Sequence, residues 1–223
     1  MQKLTGHGTG DGGPASAFCD PRYRLLLGGN GWQALNPAVQ QRFGKRLTGG
    51  GSTVYTGVIG EARMSRAGRL LSWVCRLIGA PLPAGSLARG LPAVVTVTED
   101  RYGGGQFWTR LYGRRRGFPQ IIHSTKRFSG PTGLEELVGC GLGIMLTVHE
   151  RQGALIFRSA GYFIRVPGCR LRLPAWLSPG RLEVGHHDRG AGRFAFTLDL
   201  THPLLGQMIR QTVLFRDTKE TMP

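Results

Sequence analysis

The chain has 223 residues, enough for a buried core and too many for a disulfide miniature, and 36 glycines with only 19% charged residues exclude a charged helical bundle. Its formal charge is +16, from 29 Lys and Arg against 13 Asp and Glu, which raises an anionic partner such as phosphate, nucleic acid or a lipid surface. Only four of the cations are lysines, and the arginines are scattered along the chain.

Cysteines 19, 75, 140 and 169 show no CxxC spacing and read as free thiols of a reducing compartment, so a cytoplasmic protein without metal or cofactor is expected. The N-terminal MQKLTGHGTGDGGPAS lacks the apolar run of a secretion signal. The most apolar window, Leu70 to Ala80, is broken by Arg76 and too short to span a bilayer. Residues 1–17 read as a disordered glycine-rich tail, 18–217 as a single domain and 218–223 as a C-terminal tail. Gly8, Gly10 and Gly13 spell GxGxxG, but no strand precedes them and Pro14 follows, so the dinucleotide motif lacks its context.

Two short helices open the ordered chain. Asp20-Pro21 and Asn36-Pro37 each place a capping side chain before a proline at the first helical turn. The first helix carries Tyr23, Leu26 and Leu27 and should stop at Gly28-Gly29; the second carries Val39, Phe43 and Leu47. Both suit plugs packed on something larger. A third, from Ser65 to Ile78, sets Leu70, Leu71, Val74, Leu77 and Ile78 against Arg69, Ser72 and Arg76, with Gly79 and Pro81 as its stop. Such a basic amphipathic helix suits an anionic membrane, but packing of its apolar side on a sheet is the ordinary reading, and the one expected.

From residue 91 the period changes from 3.6 to 2. Phe107, Thr109 and Leu111 alternate with Trp108, Arg110 and Tyr112, and the same alternation runs through 142–150 and 193–200. Strands are predicted at 52–63, 92–100, 106–112, 118–128, 142–150, 154–165, 181–188, 193–200 and 207–216. The glycine-rich turns between them are too short for parallel crossovers, so neighbours are antiparallel. The predicted fold is mainly β (α+β): an antiparallel meander forming a barrel or strongly curved half-barrel, covered by the short N-terminal helices and the amphipathic one.

Common catalytic signatures are missing: there is no GxSxG, HExxH or P-loop, and His149-Glu150 lacks a second histidine. Neighbours in His186-His187-Asp188 point to opposite strand faces, so at most two of them converge, and a polar run near a turn is the plainer reading. Arg114-Arg115-Arg116, near Trp108 and Tyr112, resembles a nucleic-acid platform, but a charge run at a hairpin is ordinarily solvated, and nucleic acid is disfavoured. Arg110, His149, Arg158 and Asp199 lie mid-strand. If turned inward they need partners or a ligand, and Glu135 and Glu136 are the nearest counter-charges in sequence to Arg110 and Lys126.

Leu26-Leu27-Gly28 with Trp32, Leu35, Pro37 and Val39, then Gly79 to Pro83, Phe107 to Arg110, Lys126-Arg127-Phe128, Gly139 to Leu146, Leu173-Pro174, Pro179-Gly180, Arg193 to Phe196 and His202 to Gly206 form one ordered set. In order and spacing, from about residue 22 to 216, the set resembles the bacterial family catalogued as domain of unknown function 4166. The resemblance implies a stand-alone copy of an uncharacterised module and carries over no catalytic residue. The family-like positions with functional side chains are Trp108, Arg110, Lys126, Glu135 and His202; the imidazole of His202 also has the simpler role of capping a His-Pro turn.

The reading drawn from these observations is a β-sheet cavity for a small apolar ligand with an acidic head group, bound by residues among Trp108, Arg110, Lys126, Glu135, His149, Arg158 and His202. Two alternatives stand beside it. One is an enzyme using that cavity with Glu135 or His149 as general base; the other is a basic module meeting an anionic membrane surface or a protein.

Overall fold

The structure, a computed structural model, describes residues 20–77, 79, 82, 88–167 and 169–217. The two expected tails, the GxGxxG run, and Ile78, Pro81 and Pro83 lie outside the described residues.

Three α-helices and eleven strands follow in chain order: α1 Arg22–Gln33, α2 Pro37–Gly44, β1 Ser52–Met64, α3 Arg66–Leu77, β2 Pro92–Asp100, β3 Gly105–Tyr112, β4 Gln120–Arg127, β5 Glu135–Gly139, β6 Leu142–Arg151, β7 Ala154–Val166, β8 Cys169–Arg172, β9 Arg181–Asp188, β10 Arg193–His202 and β11 Gly206–Arg216. The sheet runs β6-β5-β4-β3-β2-β1-β11-β10-β9-β7, and a β6–β7 pairing closes it into a ten-stranded antiparallel barrel. β8 pairs with β7 outside that ring. The closing hairpin is as tight as a hairpin can be. Leu142 to Arg151 pairs with Ala154 to Ile164 across Gln152 and Gly153, whose φ angles of 54° and 78° give the left-handed pair that matches strand twist.

The nine expected strands are present, and β5 and β8 are additions. β5 is five residues long and flanked by Gly133 and Gly141, so its periodicity is too short to read; β8 has only four residues. Apolar side chains such as Val95, Ile122, Ile144, Phe157 and Val213 fill the interior, the reverse of a membrane-spanning barrel, whose apolar band faces outward.

The two ends of the barrel differ. At one end α1 and α2 form a plug. Asp20 caps α1 by accepting from the Arg22 amide at 3.1 Å, and Asn36 caps α2 by accepting from the Ala38 amide at 2.9 Å. Gly28, at φ 72°, breaks α1 where a stop was expected, and the chain resumes helix to Gln33. Tyr23 meets Phe43, Phe128 and Phe157 edge-on with centroids 5.0–6.0 Å apart. Burial of Tyr23, Leu35, Val39 and Phe43 contributes on the order of 2 kcal/mol each before ordering entropy is subtracted. Arg42 fastens α2 to the barrel through Asp188 at 3.1 Å and Asp217 at 2.6 Å.

At the other end α3 lies across the rim, and its orientation corrects the sequence reading. Gly68, Ser72 and Cys75 are its buried residues and Leu71, of the side expected to pack, lies partly buried against the core, whereas Leu70, Trp73, Val74 and Leu77 are 42–68% exposed. The cause is close approach: a Cβ on Gly68 would run into the carbonyl oxygen of Met208, so only small side chains fit on the barrel side. Ser65 caps the helix by accepting from the Gly68 amide at 3.1 Å.

Candidate functional site: a charged cluster in an apolar cavity

Inside the barrel, beneath α3, is a cavity of about 150 Å³ lined chiefly by apolar groups, including Val95, Ile122, Phe157, Val184, Phe196 and Phe215. Strand alternation decides what else enters it. On β3 the face carrying Trp108, Arg110 and Tyr112 points inward, leaving Phe107 44% exposed outside. β4 and β5 add Ser124, Lys126 and Glu136, which the register brings together: Trp108 pairs with Ser124, and Lys126 with Glu136.

These side chains form one network. Glu136 accepts from Lys126 at 2.6 Å, Ser124 at 2.6 Å and Arg110 at 3.0 Å, while Arg110 also donates to the Ser124 hydroxyl at 3.0 Å. The Lys126 ammonium lies 4.8 Å from the Trp108 ring centroid and 5.5 Å from that of Phe157. Burial would raise the Glu136 pKa, but the charges of Lys126 and Arg110 and the hydrogen bonds from Lys126 and Ser124 outweigh it and hold the carboxyl well below the usual carboxylate range. Burial pushes the Lys126 ammonium the other way, downward; Glu136 opposes this and Arg110 adds to it.

Two cations therefore share one carboxylate in a site closed by apolar walls. A further donor on a residue lining the cavity, Trp108 Nε1, is buried without a hydrogen-bond partner. Tyr162 donates to the Gly180 carbonyl at 2.8 Å, and burial pushes its phenol up to about 12. The arrangement offers surplus positive charge and spare donors at one place in an apolar chamber.

Of the sequence-derived candidates, the structure brings Trp108, Arg110 and Lys126 together. It places Glu135, His149, Arg158 and His202 elsewhere. Glu135 is buried outside the ring, where it holds Arg170, and Arg165 at 3.6 Å. His149 is exposed beside the Thr147 hydroxyl at 2.9 Å, and Arg158 pairs with Glu183 at 3.0 Å. His202 accepts from the Leu204 and Leu205 amides, capping the β10–β11 turn. Glu136, adjacent to Glu135, is the carboxylate that faces inward; the choice between the two rests on the parity of β5, a strand of five residues whose alternation is too short to read in the sequence.

A second hollow of about 270 Å³, between the plug and the barrel, is bounded by Arg42, Tyr55, Gln106, His186 and Asp217 among others. His186 stacks on Phe194 at 4.7 Å, and burial, with the nearby charge of Arg42, pushes its pKa down to about 3. His187 lies 3.2 Å from the Thr197 hydroxyl, so the His-His-Asp run diverges as alternation requires. Among the described residues no group of three or more His, Cys, Asp or Glu could hold a metal ion.

Fold and cavity together define a ten-stranded antiparallel barrel enclosing a cationic cluster. The model of the family described as Domain of unknown function (DUF4166) matches residues 35–215, and the chain belongs to that family. No curated protein and no solved structure gives a significant match.

Proposed function

We propose that the protein binds, inside its barrel, a small and mostly apolar molecule bearing one acidic group. The observation that carries this reading is the charge imbalance: Arg110 and Lys126 face one carboxylate, Glu136, in a buried apolar site. Buried charge is costly unless compensated, and an anionic ligand head would supply the missing counter-charge. Arg110 uses two guanidinium nitrogens on Glu136 and Ser124, leaving further donors for a carboxylate or phosphate oxygen. Trp108 Nε1 would gain the acceptor it lacks. Size limits the ligand, since a cavity of about 150 Å³ suits about one aromatic ring or a short aliphatic chain.

Binding is favoured over catalysis because the groups fit for general-base work are outside the chamber or held in an unreactive state. Glu135 and His149 do not line it, and Glu136 is kept ionised and weakly basic by its two cations. The free thiols Cys75, Cys140 and Cys169 support a reducing, cytoplasmic setting.

Native mass spectrometry of freshly purified protein tests the reading. The expected result is a bound small acid, released by organic extraction and lost in Arg110→Ala. A co-purified neutral or cationic molecule would contradict it.

A further inference from the structure

We propose that the α3 end of the barrel docks on an anionic lipid surface. The inference concerns the outside of the molecule and holds whether or not the cavity binds an acid.

Leu70, Trp73, Val74 and Leu77 recur at i, i+3, i+4 and i+7, and all four are exposed, on the side of α3 opposite the buried Gly68, Ser72 and Cys75. The barrel therefore leaves this helix's apolar stripe unpartnered. Antiparallel order brings the other connections of the same end beside it, and they too expose large apolar side chains: Phe118 at 91%, Trp176 at 80% and Leu204 at 88%. Scattered exposed apolar residues need no explanation, but a helix stripe ringed by aromatic and leucine loop tips on one rim does.

Charge selects the partner. The described residues of the connections at this end, 65–77, 79, 82, 88–91, 113–119, 140–141, 167, 173–180 and 203–205, contain seven arginines and not one Asp or Glu. The plug end, counted with its helices as residues 20–51, 101–104, 128–134, 152–153 and 189–192, contains six arginines and Lys45, but there carboxylates stand among the cations: Asp20 pairs with Arg22, Asp188 and Asp217 with Arg42, and Glu99 with Arg101. Arg66, Arg69 and Arg76 are exposed on α3 itself, so the helix carries both terms of interfacial binding: apolar side chains for the acyl boundary and guanidinium groups for anionic headgroups. Trp73 and Trp176 have the amphipathic rings favoured at that boundary. No described helix is long and apolar enough to cross a membrane, so the contact proposed is with the surface.

Flotation with extruded vesicles tests the proposal. The protein should bind phosphatidylcholine/phosphatidylglycerol vesicles, bind pure phosphatidylcholine weakly, and be released by salt. Arg69→Glu with Arg76→Glu should weaken binding by about fivefold or more for each arginine. Leu70→Ser/Trp73→Ser/Leu77→Ser should abolish it while circular dichroism shows the fold intact, because these side chains are solvent-exposed. Arg24→Glu with Arg189→Glu, at the plug end, should change little. Equal binding to neutral and anionic vesicles, or unimpaired binding by the rim variants, would overturn the proposal. So would no vesicle binding at all, which would leave the rim to an acidic protein, or a stable dimer dissolved by the triple substitution, which would assign the stripe to a second copy.

Discussion

Replacing Glu136 by Gln keeps the shape of the side chain and removes the single negative charge that Arg110 and Lys126 share. Lys126 is 5% and Glu136 8% exposed at the side chain, so their pair is shielded from water; Arg110, at 21%, is partly hydrated and weighs less. Removing one partner of a buried pair costs about 3–5 kcal/mol, and since the Gln oxygen still accepts from Ser124 or Lys126, the lower end applies, about 3 kcal/mol. Urea unfolding at pH 7, with the m value checked for constancy, measures it. The loss should also be pH-dependent. Without Glu136 the influence that raises the Lys126 pKa is gone, while burial and Arg110 still lower it. The unfolded chain then binds the Lys126 proton up to its ordinary 10.5 and the folded chain does not, so the variant regains stability as pH rises toward 10.5. Lys126→Met in the same chain should remove both the alkaline recovery and most of the deficit. A loss below about 1 kcal/mol, with no alkaline recovery, would refute the account of a buried, shared carboxylate.

His186 is neutral in the folded protein, with its pKa pushed from 6.5 to about 3, so the unfolded chain takes up a proton first and stability falls as pH drops below 6.5. The deficit reaches about 2 kcal/mol by pH 5; His186→Phe should lessen the fall in melting temperature between pH 6.5 and 5, leaving the smaller part owed to His187, whose pKa burial also pushes down, in a window above the one in which Glu136, ordinarily near 4.5, begins to contribute. Arg110→Lys keeps the charge and loses the fork, so it should weaken binding of an acidic ligand by about 1–3 kcal/mol with a smaller stability loss than Glu136→Gln; unchanged affinity per folded molecule would remove Arg110 from the site. Gly68→Ala should destabilise by about 1–3 kcal/mol, because the added methyl meets the Met208 carbonyl. Were α3 free of the barrel, the same change would stabilise it by up to about 1 kcal/mol in thermal melts.

The repeating period of two made the barrel legible, because every long strand offers enough residues for alternation to show. Capping chemistry at Asp20 and Asn36 placed the two plug helices for the same reason: it is local. What the sequence hid depended on partners. The outward face of β3, with Phe107 and Leu111, is the more apolar one, yet the inward face carries Trp108, Arg110 and Tyr112, because the barrel collects its polar groups into one shared network that a single strand cannot reveal. Which of Glu135 and Glu136 faces inward is a matter of parity on a five-residue strand hidden between glycines. The apolar side of α3 pointed to burial by periodicity alone; the close approach of Met208 to Gly68 reversed it, and nothing within the helix encodes that contact.

The central claim is that the cavity recognises an acid. Isothermal titration at pH 7 with a series of one-ring and short-chain carboxylates, each beside its matched alcohol, tests it most directly, with wild type compared to Lys126→Met. A carboxylate that binds at least about tenfold more tightly than its alcohol, through hydrogen bonds to charged groups, and loses that preference in Lys126→Met is the predicted result. Alcohols that bind as well as their acids, or a preference for acids that survives in Lys126→Met, would contradict it.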